Sequence, residues 1–357
     1  MVITMPELLM IANEPTTVPR QRSSRRPATR RIVVGVVLPA MILAYLVVAG
    51  PTIRSATRSL AGASPVWLGA GLVATVSSMV AFAALRRQTL AVGGARVPLR
   101  RTVGLSYGAG AVHTTLPAGA LFSTTYAFRH LRSWDVPSST AAWSMTITGL
   151  LSTLTLSTVG LLGVALGPGA GGSYLWPLAE VLLVVAVVVG LVQVCRHPGG
   201  MIRLANLSVL RFNSFRERSS DSGLDRLANL VADLRAIRPT ARDWMASTML
   251  ALANWALDLA CLAACATAVG VHVGFPALLI TYTAGMAAGS ALPLPAGLGA
   301  VETAMTLGLT VAGAAASPAL AAVLLYRLLS TGSVVVIGWV VVATQRLRSD
   351  GRSAGMS

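Results

Sequence analysis

This sequence of 357 residues lacks lysine altogether: all 28 of its basic residues are arginine, against 12 acidic residues. Charged residues make up only 11% of the chain and aromatic residues 5%. Nucleic-acid binding would call for a soluble basic domain with interleaved aromatic residues, so no nucleic-acid partner is expected. The three cysteines, Cys195, Cys261 and Cys265, fall in apolar segments without further ligands nearby. Neither a metal site nor a cofactor is therefore expected.

The usual enzyme signatures are also missing. The chain has no His-Glu-x-x-His, no Gly-x-Ser-x-Gly and no Gly-x-x-x-x-Gly-Lys. The short string Gly108-Ala109-Gly110 is too brief to indicate a nucleotide site. The sequence therefore predicts a protein that is not an enzyme and has no catalytic residues.

Long apolar runs are what the chain does have. It is 54% apolar, and several runs reach the length that crosses a bilayer as a helix. We expect an all-α polytopic membrane protein with about six full transmembrane helices and two broken, re-entrant hairpins. The six helices are expected near 32–50, 65–85, 138–166, 174–195, 244–269 and 318–343, and the hairpins near 102–128 and 275–316.

Arginine clusters predict the orientation. Residues 1–31 are polar and basic and indicate a disordered cytoplasmic tail, residues 346–357 a second cytoplasmic tail, and 32–345 the transmembrane domain between them. The loop 196–242 carries nine arginines against four acids. It includes an amphipathic helix near 224–237 that lies either on the inner leaflet or against the protein itself. All-arginine usage is typical of GC-rich bacterial genomes, so we expect a bacterial inner-membrane protein. The arginine clusters predict that both termini lie in the cytoplasm.

The same charge rule fixes how the broken segments run. One group of arginines, among them Arg86 and Arg87, follows the second span, and another cluster follows the first hairpin. Both groups stay inside only if that hairpin enters and leaves on one side. By this count the first hairpin opens to the cytoplasm and the second to the outside.

The breaks themselves are proline and glycine strings. Two prolines and two glycines occur within 293–299, and a helix cannot continue through them. At membrane depth such backbone is tolerated only where it is buried in protein or lines a wet cavity. Leu-Pro-Ala-Gly occurs at 116–119 and again at 294–297. Paired interruptions of this kind indicate an inverted-repeat transporter, although a chain so rich in Ala, Gly and Leu can also repeat a tetrapeptide by chance.

Two charged residues flank the second break. Glu302 is expected in the first turn of the following helix, as a cap or as a proton or cation relay. Arg327 lies about nine residues into the last span and either snorkels to the surface or binds a lipid phosphate or Glu302. Asp258 and Asn254 share one helix face, where they line a cavity or make interhelical hydrogen bonds.

The pattern Pro293-x-Pro295-x-Gly297-x-Gly299-x-x-Glu302, followed by Leu-Leu-Tyr-Arg at 324–327, resembles the lysylphosphatidylglycerol synthase transmembrane family, also called flippase-like membrane proteins. The resemblance is clearest over 244–345 and looser over 100–166. It implies a helical fold with broken helices and movement of a modified anionic phospholipid, or of other lipids or polyprenyl-linked intermediates. Ala296 replaces the usual glycine, and we expect a stand-alone member without a soluble synthase domain after Arg348.

These observations together predict a lipid translocase that binds an anionic head group between the two breaks. The alternative is a non-transporting membrane scaffold that recruits a partner in cell-envelope lipid or glycan synthesis. The oligomeric state, the lipid and the energy source are not predicted. The expected substrate-binding residues are Asn254, Asp258, Glu302, Tyr326, Arg327, Pro117, Gly119, Pro295, Gly297 and Gly299.

Overall fold

The computed structural model describes four ranges of the chain, residues 62–116, 119–167, 237–291 and 295–354. Several sequence predictions fall outside these ranges: the tail at 1–31, the spans near 32–50 and 174–195, most of the loop at 196–242 with its amphipathic helix, and Pro117.

The described residues form nine α-helices and no strand. The first four are α1 (Pro65–Val92), α2 (Leu99–Thr115), α3 (Gly119–Arg132) and α4 (Ser138–Leu166). The other five are α5 (Ala241–Ala268), α6 (Phe275–Ala291), α7 (Ala300–Val311), α8 (Ala316–Arg327) and α9 (Ser333–Ala354). A 3₁₀ turn, Pro295–Gly297, lies between α6 and α7, and a π-helical segment, Leu328–Gly332, joins α8 to α9. A long helix, two shorter helices and a second long helical run therefore follow one another twice.

Local sequence explains where several of these helices begin. Proline occupies the first turn of α1, where its missing N–H would have no partner in any case. At α5, the Asp243 amide donates to Oγ1 of Thr240, and the Thr240 amide donates to the Asp243 carboxylate, at 3.2 and 2.9 Å. This reciprocal capping box fixes the start of the helix at the residue after Thr240.

Within the described ranges, four helical runs are long and apolar enough to cross a membrane: Pro65–Val92, Ser138–Leu166, Ala241–Ala268 and Ala316–Gln345. They correspond to the four predicted spans that fall in the described ranges. One continuous helical run covers the last of these spans, and it contains a π-helical segment, Leu328–Gly332, that the sequence did not predict. The first of them was expected to end near Leu85, but its helix continues for about two turns because no helix breaker occurs before Gly93 and Gly94.

Helices α1 and α5 form an antiparallel pair with the most extensive contact among the described helices. The backbone N–H of Ser64 donates to the Ala268 carbonyl at 3.1 Å, at one end of the pair. Further along, Oγ of Ser78 donates to the Asn254 carbonyl at 2.9 Å. This pairing places the polar middle of α5 against the middle of α1.

The shorter helices pack against the long run of the other half of the chain. Helix α2 lies against α9, and α6 lies against α4. Small residues permit both contacts: Gly338 of α9 lies directly on the Tyr107 carbonyl of α2, and Gly163 of α4 faces Leu279 of α6. Close approach through small residues is how helices associate where no hydrophobic effect drives them together.

Candidate functional site

The second predicted break is a sharp turn between α6 and α7. Ala296, Gly297 and Gly299 have positive φ angles of 53°, 62° and 84°. A Cβ atom on Gly297 would lie 2.7 Å from the Gly289 Cα atom, so this position requires glycine. The turn returns the chain to a new helix start, as the proline and glycine spacing predicts.

Ala296 is the one residue of this turn whose conformation does not suit its side chain, since left-handed backbone is unfavourable for alanine. Ala296→Gly is therefore expected to stabilise the protein by about 1 kcal/mol, read as a higher melting temperature in detergent. Ala287→Gly, inside α6, is the matched control and should lower stability by about 1 kcal/mol. A destabilising effect of Ala296→Gly would show that the turn is not under strain.

Glu302 and Arg327 close the turn. Oε2 of Glu302 accepts the Gly299 N–H at 2.7 Å and so caps α7, while Oε1 accepts Nε–H of Arg327 at 2.8 Å. Nη2 of Arg327 donates to the Ala296 carbonyl. The side chains of Arg327 and Glu302 are only 11% and 12% exposed. The arginine thus holds the carboxylate and the strained backbone at the same time, through two sides of its planar fork.

Asp258 forms a second polar cluster beside this ion pair. Its Oδ2 atom accepts hydrogen bonds from Tyr282 on α6 at 2.6 Å and from Tyr326 on α8 at 2.8 Å. Both tyrosines are fully buried. One carboxylate oxygen therefore satisfies two buried hydroxyl groups and joins three helices.

Asn254 lies one turn before Asp258 on α5 and is buried. It accepts the Ser78 hydroxyl at its side-chain oxygen at 3.1 Å as well as at its backbone carbonyl. Trp255, next in sequence, donates from its indole N–H to the Ser152 carbonyl of α4 at 2.7 Å. Both alternatives considered for this helix face are present, because its polar residues make interhelical hydrogen bonds and also line a cavity.

That cavity has a volume of about 740 Å³ and lies between the two broken segments. From the first break it includes His113 and Gly119, and from the second Ala296 and Gly297. The 3₁₀ turn of the second break also packs against α2. Polar lining residues come from six of the helices and the π-helical segment: Thr75, Ser78, His113, Thr114, Ser152, Asn254, Asp258, Ser290, Tyr326, Arg327, Ser330 and Thr331.

The predicted binding residues divide into three groups in this geometry. Those that line the cavity are Asn254, Asp258, Tyr326, Arg327, Gly119 and Gly297. Glu302, Pro295 and Gly299 belong to the turn behind it, and Glu302 is connected to the cavity through Arg327. Pro117 falls outside the described residues. The structure thus brings the described members together around one hollow, and their role in binding stays a prediction.

Sequence reasoning missed Tyr282 and Ser78, which hold Asp258 and Asn254 in place. Neither carries a local signal, since a single tyrosine or serine in an apolar helix is ordinary. Their partners lie 24 and 176 residues away, so these contacts arise only once the helices have packed.

Comparison with known families assigns the chain as its motifs suggest. The sequence profile described as the lysylphosphatidylglycerol synthase TM region matches residues 32–338. No curated protein matches the chain. Because the profile covers most of the sequence, and the matched region holds both broken hairpins and most of the four apolar spans, this multi-pass membrane protein belongs to the lysylphosphatidylglycerol synthase transmembrane family.

Proposed function

We propose that this protein is a lipid translocase, which binds an anionic phospholipid or polyprenyl-linked lipid by its head group and carries it across the bacterial inner membrane. The observation that carries the proposal is the cavity between the two breaks, with Arg327 and Asp258 in its wall. A cavity of about 740 Å³ is of the size that accommodates small-molecule ligands. Family membership supports a lipid as the substrate.

An inverted repeat is part of this proposal. Its support is the repeated order of elements and the exchange of packing partners, since α2 lies on α9 while α6 lies on α4. In such transporters the site lies near the bilayer midplane, between the broken helices of the two halves. We propose six full spans, two hairpins that open to opposite sides, and cytoplasmic termini.

Transport needs an element that can switch between two arrangements. The ion pair of Glu302 and Arg327 is that element. In the structure, Glu302 neutralises Arg327. A lipid phosphate competes for the same guanidinium group, because Arg binds phosphate and carboxylate with the same fork. Binding of the lipid phosphate would release Glu302 and loosen the turn at Ala296. Asp258 remains as a countercharge for Arg327. The acyl chains stay in the bilayer, and no bond of the lipid is made or broken.

Reconstitution tests this function. Purified protein in liposomes with fluorescent phosphatidylglycerol should expose inner-leaflet label to an external quencher faster than empty liposomes, measured with and without a pH gradient. Glu302→Gln and Arg327→Ala should slow exposure by roughly tenfold or more, since each removes a charge-assisted hydrogen bond. Arg129→Ala, at the exposed end of α3, is the control and should behave as the wild type.

Equal rates for wild type and empty liposomes under both conditions would contradict the translocase. The scaffold alternative would then be favoured, in which the basic cytoplasmic surface recruits an envelope-synthesis partner. If the rates stay high in both Glu302→Gln and Arg327→Ala, lipid movement does not depend on the ion pair.

A further inference from the structure

A second cation, Arg86, is buried near the cavity. It lies in the last two turns of α1 and is only 8% exposed. Its guanidinium carbon is 5.2 Å from the centre of the Phe82 ring. The adjacent Arg87 is exposed. The sequence groups both arginines as loop residues after a span, but the structure separates them.

The guanidinium group of Arg86 has few partners for its burial. Its Nη1 atom is 3.5 Å from Oγ of Ser106 on α2, a long contact, and its Nε–H has no acceptor among the residues that the structure describes. The described part of the chain places no carboxylate within 4.0 Å of it, whereas Arg327 is paired with Glu302. A guanidinium has five N–H donors, and a buried charge without a counterion is costly.

Position connects Arg86 to the cavity. Phe82, one turn earlier on α1, is the last residue of that helix to line the hollow, after Ser78 and Met79. Arg86 follows Ser78 by eight residues, which is about 12 Å along the helix axis. Ser78 is bonded to Asn254 beside the Asp258 cluster. Arg86 and the Asn254–Asp258 face of α5 therefore lie at different levels along α1.

We propose that Arg86 is a second anion site, which takes the phosphodiester of an anionic phospholipid beside Phe82. One unpaired guanidinium matches the single negative charge of a phosphodiester, and its fork presents two parallel donors to two phosphate oxygens. Arg327 is already neutralised by Glu302, whereas Arg86 has no carboxylate partner among the described residues. As a station on the route to Arg327 the site rests on the proposed function, but its binding of phosphate does not.

The test is lipid binding, which does not depend on transport. The full chain is purified in dodecyl maltoside, and its melting temperature is followed on titration with phosphatidylglycerol, phosphatidylcholine or inorganic phosphate. Arg86→Gln and Arg86→Met remove the proposed site, and Arg87→Gln removes the neighbouring charge as a matched control. A response to phosphatidylglycerol alone assigns a lipid phosphate, and an equal response to inorganic phosphate assigns a free anion.

We expect the midpoint concentration of phosphatidylglycerol to rise at least tenfold in both Arg86 variants and to stay within about twofold of wild type in Arg87→Gln. Without lipid, both Arg86 variants should melt no lower than wild type, because each removes a buried unpaired charge. Midpoints near wild type in the Arg86 variants, an equal loss in Arg87→Gln, or failure of both Arg86 variants to fold would overturn the assignment. Loss of binding in Arg86→Gln together with an inactive wild-type protein in the liposome assay would leave the site standing and remove only the translocase.

Discussion

Replacing Arg327 by lysine is expected to reduce lipid movement by roughly tenfold or more, although the positive charge is retained. Arginine uses Nε to hold Glu302 and Nη2 to hold the Ala296 carbonyl, on opposite sides of the turn. An ammonium group is a point charge without this planar fork, so it cannot satisfy both acceptors in the same geometry. The measurement is the rate at which reconstituted protein exposes fluorescent phosphatidylglycerol.

The matched control is Arg129→Lys, the same substitution at an exposed arginine near the end of α3. It should leave the rate unchanged, because an exposed arginine is not required to make two directed hydrogen bonds. Both variants should elute as folded protein on size exclusion, which separates a transport effect from misfolding. Undiminished lipid movement in Arg327→Lys would mean that charge alone suffices and that the fork is not needed.

Two substitutions of Asp258 are expected to differ in their effects on folding and on lipid movement. Asp258→Ala leaves the buried hydroxyl groups of Tyr282 and Tyr326 without their acceptor, at a cost of about 1–3 kcal/mol each. Asp258→Asn keeps a side-chain oxygen in the same position, so it should fold, but it removes the proposed countercharge. We expect Asp258→Ala to melt well below wild type, and Asp258→Asn to stay folded with lipid movement slowed roughly tenfold.

A control for the loss of stability in Asp258→Ala also removes the two tyrosine hydroxyl groups that donate to Asp258. Tyr282→Phe and Tyr326→Phe added to Asp258→Ala should recover part of the lost stability, since no hydroxyl group is then left unsatisfied. Wild-type stability in Asp258→Ala alone would show that the tyrosines find other partners. Wild-type transport in Asp258→Asn would show that the charge at this position has no part in moving lipid.

Local chemistry made much of the second hairpin predictable. Pro293, Pro295, Gly297 and Gly299 exclude a continuous helix, and an acid three residues after Gly299 is a helix cap. The pairing of Glu302 with Arg327 was one of the alternatives open from the sequence, and the structure has it. Helix α4 also has the bounds expected for it, because Pro137 precedes it and the glycine-rich stretch from Gly167 follows it.

Burial was harder to predict, because tertiary packing decides it. Arg86 and Arg87 are neighbours with the same side chain, and the periodicity of the sequence gives no reason to separate them. Helix α2 packs against α1 and brings Ser106 close to Arg86, while Arg87 points outward. The strain at Ala296 was hidden for a similar reason, since a change from glycine to alanine looks mild until the backbone angle is known.

The π-helical segment after Arg327 changes the direction in which side chains of the second half of the last span face, relative to those of the first half. A π-helical turn contains more residues than an α-helical turn, so it offsets the faces that come before and after it. In a continuous α-helix one residue corresponds to about 100° of rotation. Without the extra residue, α9 would carry Gly338 away from the Tyr107 carbonyl while Arg327 still faced its acceptors. One widened turn thus lets the first half of the span place Arg327 in the ion pair. It also lets the second half pack Gly338 closely against α2.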